Sequence, residues 1–218
     1  TSGAAPSGPP ITIKVADFLP PAQLVKWGGV EPWIKAIERI GKGRVKIDYR
    51  GTESLLAARE LLDGARMGVA DMTVLVPDYW PDRLKLAAFT TLPYNFPNTK
   101  VGTAVTRELM RGAMGDDFRA QGVEPVCVLL TTPRQISLAK PKVNSLQDFK
   151  GLKLRALGWE AKTFEALGAS TVFMAAAEGV TAQKTGVIDG TSQAYYGMPG
   201  WGLMDITKQV VELGGHTH

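Results

Sequence analysis

Apolar and polar residues alternate over Ile11–Ala16, with Ile11, Ile13 and Val15 on one side, and this period of two predicts a strand that ends before Pro20-Pro21. Val30, Trp33, Ile34, Ile37 and Ile40 then fall on one helical face, with Pro32 near its start and Gly41 near its end. A strand over Val45–Tyr49, a helix over Leu55–Met67 closed by Gly68, and a short strand over Met72–Val76 follow. Asn98 is placed to cap a long helix reaching about Phe118, with Val101, Val105 and Leu109 as its apolar stripe. The apolar run Pro125–Leu130 predicts a strong strand, and Gln135–Leu138 a second. Beyond them, Ser145–Phe149 reads as a capped turn, Leu152–Ala156 as a strand, Trp159–Leu167 as a helix, Thr171–Phe173 as a strand, Ala175–Thr185 as a helix and Val187–Asp189 as a strand. Strands alternating with helices imply an α/β fold with mainly parallel sheets. The pattern also echoes itself. A strand after Gly43-Arg44 leads to Gly68-Val69-Ala70-Asp71, and a strand after Gly151 leads to Gly186-Val187-Ile188-Asp189, which suggests two similar lobes.

Composition narrows the function classes. The 218 residues are 44% hydrophobic and 21% charged, which suits a globular chain of one large or two small domains and excludes disorder over the whole length. No apolar run approaches the ~20 residues of a membrane-spanning helix. Thr1–Pro10 holds only Thr, Ser, Gly, Ala and Pro, so a disordered linker is expected there. It fits a mature exported chain whose signal has been removed, and equally a cytosolic one. The net charge is +4, but the cations are scattered among acids without a basic helix or interleaved aromatics, so nucleic acid is not the expected partner. The exception is the window 133–155, where Arg134, Lys140, Lys142, Lys150, Lys153 and Arg155 face a single acid, Asp148. That is too narrow for a duplex and sufficient for a small anion.

Catalytic sets are scarce. Cys127 sits in the apolar run and reads as an inert buried thiol, and the two histidines, His216 and His218, lie at the very end of the chain. No Gly-rich phosphate loop occurs. Binding groups are better provided. Arg155 ends a predicted strand, where open α/β sheets place ligands, and its planar guanidinium can grip a carboxylate through two parallel hydrogen bonds. Arg134 precedes another strand. Phe18, Trp27, Tyr79, Trp80, Trp159, Tyr195, Tyr196 and Trp201 sit at element ends or in loops, where aromatics line ligands or pack cores.

Gly43-Arg44-Val45-Lys46-Ile47, Leu61–Met72 and Leu92-Pro93-Tyr94 resemble the N-terminal lobe of TRAP transporter solute-binding proteins, the DctP family. Asp148-Phe149-Lys150-Gly151-Leu152-Lys153-Leu154-Arg155 is similar to that family's most diagnostic run, and Leu167-Gly168-Ala169 and Gly186-Val187-Ile188-Asp189-Gly190 follow at the family's spacing. The resemblance covers nearly everything from Ile11 to His218. It implies an exported, type II-like two-lobed periplasmic binding protein with hinge strands, divided as a linker 1–10, an N-terminal α/β lobe 11–124, a second α/β lobe 125–210 and a truncated crossover 211–218. The family continues well past the equivalent of His218, so its C-terminal part is expected to be missing.

The same resemblance implies the site. The family's carboxylate-binding arginine falls on Arg155, and a second arginine of some members on Arg134. Gln193 stands where some members have a pocket asparagine. Ser192 stands where metal-binding subgroups have an acid, so no metal or other cofactor is expected. Trp159, Tyr195 and Tyr196 are expected as walls, with Phe18 and Tyr79 reaching from the other lobe. The implied function is a monomeric periplasmic protein, not an enzyme, that captures a small organic acid anion and delivers it to the integral membrane subunits of a TRAP transporter. Two arginines lean towards a dicarboxylate or a hydroxy or keto acid. The alternatives are an enzyme on a small carboxylic acid with Asp17, Glu160 or Asp189 as base, and a ligand sensor without a transporter.

Overall fold

The computed structural model describes residues 9–92, 95–140 and 142–213. The expected linker falls largely, and the two histidines wholly, outside them. By compactness the chain divides into one unit ending at Leu75 and another beginning at Val76. The expected boundary at 124/125 lies inside the second.

The first unit carries β1 (Ile11–Asp17), α1 (Glu31–Gly41), β2 (Val45–Arg50), α2 (Leu61–Arg66) and β3 (Met72–Val74). Its sheet is parallel throughout, in the order β2-β1-β3. The helix expected over Leu55–Met67 is shorter, because a separate 3₁₀ turn over Ala58–Glu60 precedes α2. The second unit opens with α3 (Thr99–Arg111) and α4 (Ala113–Ala120). Asn98 caps α3 as expected, its side chain accepting from Val101 N–H at 3.0 Å. The single long helix is instead broken at Gly112. The expected stripe is also one residue out of phase: Gly102, Thr106 and Met110 are buried, whereas Val101, Val105 and Leu109 are about 40% exposed.

Next come β4 (Arg134–Leu138), β5 (Lys153–Arg155), α5 (Gly158–Ala166), β6 (Ser170–Val172), α6 (Ala176–Lys184), β7 (Gly190–Ala194) and β8 (Gln209–Val211). The sheet order is β6-β5-β7-β4-β8, with β5 parallel to both neighbours and β4 antiparallel to both of its own. Ile136, Leu138, Leu154, Phe149 and Phe164 form the core of this unit, the two phenylalanine rings stacking at 5.8 Å.

Residues 124–133 do not form the strong strand expected from their apolar run. They pair with no sheet among the described residues, Val126 is 67% exposed, and Cys127 is exposed rather than buried. A short apolar run shows that a segment is sticky; it does not supply an edge to pair with. The strand expected at Val187–Asp189 begins instead at Gly190.

The sequence echo has a physical basis. In the first unit the chain leaves α2 through Gly68 at φ +72°, Val69 N–H bonds back to Gly64 O, and Asp71 clasps Lys14 of β1: Asp71 N–H donates to Lys14 O, and its carboxylate accepts from Lys14 N–H at 2.7 Å. In the second unit the chain leaves α6 through Gly186 at φ +77°, Val187 N–H bonds back to Ala182 O, and Asp189 clasps Lys153 of β5 in the same way, accepting from Lys153 N–H at 2.9 Å. Only glycine makes the left-handed exit at no steric cost. The aspartate then fixes the register of the entering parallel strand. In both units this device precedes the strand beside the one whose C-terminal end carries a buried charged residue, Asp17 or Arg155.

Asp189 also accepts from Lys142 Nζ at 2.8 Å. Burial opposes its ionisation, but the bonds from Lys142 and the Lys153 amide outweigh that and hold its carboxyl below the usual range. A carboxyl with a depressed folded pKa stabilises above the unfolded pKa of about 4 and loses that contribution as pH falls through the folded value. Asp189→Ala is therefore expected to cost about 1–2 kcal/mol at pH 7 in chemical denaturation, the difference from wild type shrinking as pH falls below about 4. A pH-independent difference would contradict this account.

Candidate functional site

The register of the second sheet gathers charged residues at one end. Arg155 is the last residue of β5, Ser192 and Gln193 approach the C-terminal end of the parallel strand β7, and Arg134 starts β4, paired with Ala194. The C-terminal ends of parallel strands are where α/β sheets place ligands. Gly190 at the base of β7 lies against β4 so closely that an added Cβ would stand 2.5 Å from Ser137 O.

Arg155 is only 2% exposed. Its Nε donates to Met174 O at 3.0 Å, its Nη1 to Ser192 O at 3.1 Å, and its Nη2 to the Tyr79 hydroxyl at 3.5 Å. The Tyr79 oxygen also accepts from Ala176 N–H at the start of α6, at 3.1 Å. Gly179 of α6 leaves room for the arginine stem: an added Cβ would stand 3.1 Å from Arg155 Cγ. A guanidinium has five N–H donors, and these bonds use three of them, which leaves one on each of Nη1 and Nη2. None of its hydrogen-bond partners is a carboxylate. Burial is the largest influence on this group and weakens its hold on its proton; the neighbouring Arg134 adds to that, while Tyr79, Glu160 and Asp78 oppose it.

Arg134 is treated differently. It lies 3.7 Å from Asp78 and 3.7 Å from Glu160, all three side chains nearly buried. Burial opposes its charge, but Glu160 and then Asp78 outweigh burial and its pKa is raised. Asp78 is also raised, because burial exceeds the pull of Arg134 and Glu160 repels it further. Ser192 joins the two arginine environments, since its carbonyl receives Arg155 and its hydroxyl donates to Glu160 Oε1. The other oxygen of Glu160, Oε2, is buried and has no hydrogen-bond partner among the described residues.

The expected residues do not all meet. Tyr79, expected from the opposing lobe, lies in the same unit as Arg155 and touches it. Tyr196 is half-buried, hydrogen-bonded to the Thr131 side chain and within the field of Arg134. Gln193 accepts from its own neighbour, Ala194 N–H, at 3.0 Å. Trp159 is 41% exposed under Lys162 Nζ, and Tyr195 is 44% exposed, its hydroxyl donating to Glu212 at 2.6 Å. Phe18 is buried in the first unit, next to Asp17. Asp17 itself accepts from the amides of Leu19 and Thr52 and from the Tyr49 hydroxyl, whose pKa is raised by burial and by that bond. Of the three carboxylates weighed as a base, Asp17 and Asp189 are thus held by structural bonds. Asp78 went unremarked in the sequence, where it reads as an ordinary turn residue beside Pro77.

The chain belongs to the bacterial extracellular solute-binding protein family 7, DctP, which it matches over residues 16–216. A solute-binding protein of Roseobacter denitrificans is 28% identical over 155 residues, 68% of this chain and 46% of the relative. A TRAP solute-binding protein from Rhodoferax ferrireducens, solved with copurified benzoate, superposes with a TM-score of 0.89 at 23% identity, covering 95% of this chain and 66% of that one. One from a marine metagenome, solved with 3-hydroxybenzoate, gives 0.88 at 24%, covering 96% and 67%. The chain thus spans about half the length of the Roseobacter relative and two-thirds of these solved chains.

Because Arg134 compensates two buried acids, Arg134→Met is expected to cost about 3–5 kcal/mol of stability by urea denaturation. Adding Asp78→Asn and Glu160→Gln to that variant is expected to restore most of the loss, because no uncompensated charge then remains. A triple variant as unstable as the single one would contradict the charge accounting.

Proposed function

We propose that this chain captures a small organic acid anion, with Arg155 as the carboxylate anchor, and presents it to the integral membrane subunits of a TRAP-type transporter from the periplasm, as a monomer. The observation that carries the reading is the Arg155 guanidinium itself: buried, oriented by two carbonyls and a tyrosine hydroxyl, with a donor left on each terminal nitrogen and no carboxylate hydrogen-bonded to it among the described residues. A buried cation left in that state is costly, and an anionic guest that takes both donors relieves the cost. The family's solute-binding role and the benzoate and 3-hydroxybenzoate held by the two solved relatives support the choice of acid. Arg134 lies close enough to supply an oxygen-binding donor, with Tyr196 beside it. Gln193, Trp159 and Tyr195 complete the set proposed for the bound form, in which side-chain rotations bring the exposed members to the guest.

Calorimetry of the intact protein against a panel of small organic acids tests this directly. At least one monocarboxylate is expected to bind, and Arg155→Ala is expected to weaken it more than a hundredfold, since two charge-assisted bonds at about 1.5–3 kcal/mol each are lost. Unchanged affinity in that variant would remove Arg155 from the site.

A further inference from the structure

The two arginines are not equivalent, and the difference points to a class of ligand. Among the described residues no carboxylate is hydrogen-bonded to Arg155, whereas Arg134 is ion-paired to two. A carboxylate on Arg155 meets a guanidinium with no carboxylate among its hydrogen-bond partners, whereas the space beside Arg134 is already shared by two carboxyl groups. A second carboxylate near Arg134 would meet Asp78 and Glu160 at like charge.

What the cluster lacks is a hydrogen bond. Arg134 Nη1 and Glu160 Oε2 are 3.7 Å apart, beyond hydrogen-bond reach of each other, and Glu160 Oε2 has no hydrogen-bond partner at all among the described residues. A buried acceptor in that state is costly. One small group satisfies both sides at once: a hydroxyl accepts through its oxygen and donates through its hydrogen. A carboxylate or keto oxygen can only accept, an ammonium can only donate, and a methyl group does neither. Ser192 holds Arg155 through its carbonyl and Glu160 Oε1 through its hydroxyl, so the two side chains share one residue as a partner and lie on the same part of the site.

We propose that Glu160 is a specificity-determining residue of this site, and that the site selects a monocarboxylate bearing a hydroxyl within two carbons of the carboxylate, the hydroxyl accepting from Arg134 Nη1 and donating to Glu160 Oε2. This rests on the reading of Arg155 as the anchor. Of the guests that two arginines suggest, a dicarboxylate or a hydroxy or keto acid, it selects the hydroxy acid.

The test is calorimetry of the intact protein with three matched series, in each of which the hydroxyl is replaced by hydrogen and then by a carboxylate: lactate, propionate and methylmalonate; 3-hydroxybutyrate, butyrate and methylsuccinate; mandelate, phenylacetate and phenylmalonate. In the series whose carbon skeleton fits, the hydroxy acid is expected to bind about tenfold or more tightly than its deoxy partner, and the dicarboxylate more weakly than both. Glu160→Gln removes the negative charge and is expected to bring the dicarboxylate up by roughly tenfold relative to the hydroxy acid. Equal binding of hydroxy and deoxy acids, or a dicarboxylate preferred by the wild type, overturns the proposal while leaving Arg155 as anchor. Should only an acid without a hydroxyl bind, from these series or from the wider panel, this proposal falls and Arg155 stays as anchor; should no acid of the wider panel bind, the carboxylate reading falls as well. The wild-type ratios decide the matter even if the buried variant does not fold.

Discussion

A cation buried without an anion of its own sets the terms for the second unit. The Arg155 guanidinium, almost wholly removed from solvent, is tolerated because Met174 and Ser192 carbonyls and the Tyr79 hydroxyl take three of its five donors. Each of those partners comes from a different stretch of chain, and each must be held in place for the guanidinium to stay fixed. The sheet does much of this holding: β5 is flanked by β6 and β7 in parallel register, and Asp189 pins the entry to β7 on Lys153, two residues before the arginine. Stability of the scaffold and readiness of the site are thus one property.

Arg134 shows the opposite solution to the same problem. Its charge is met by Asp78 and Glu160, so it is a structural cation that still holds unspent hydrogen-bond donors. An arginine with two acid neighbours adds no net attraction for a second negative charge, whereas one with none attracts strongly.

Much of the fold was legible in the sequence because it is local. The period-two strands, the helix closed by Gly68 or Gly186 and the following aspartate are short-range signals, and the structure realises both copies through the same left-handed exit and the same carboxylate clasp. Arg155 was legible too, from its place at a strand end and from the family's diagnostic run. Asp78 and Glu160 were harder. They come from a turn, where Asp78 follows Pro77, and from the first turn of α5, and nothing in sequence spacing says that β4 will deliver Arg134 to both. The run at Val126–Leu130 misled for the converse reason: its apolar residues suit a buried strand, but strand formation depends on a free sheet edge elsewhere in the chain. Aromatics at loop ends gave the least secure positions, since Tyr195 turns to Glu212 and Trp159 lies under Lys162.

The most direct measurement is a crystal structure of the intact protein with the acid that copurifies with it. The account predicts a carboxylate lying end-on against the two terminal nitrogens of Arg155, with the bonds to Met174 O and Ser192 O preserved. An acid bound elsewhere in the protein, with that guanidinium untouched, would contradict it.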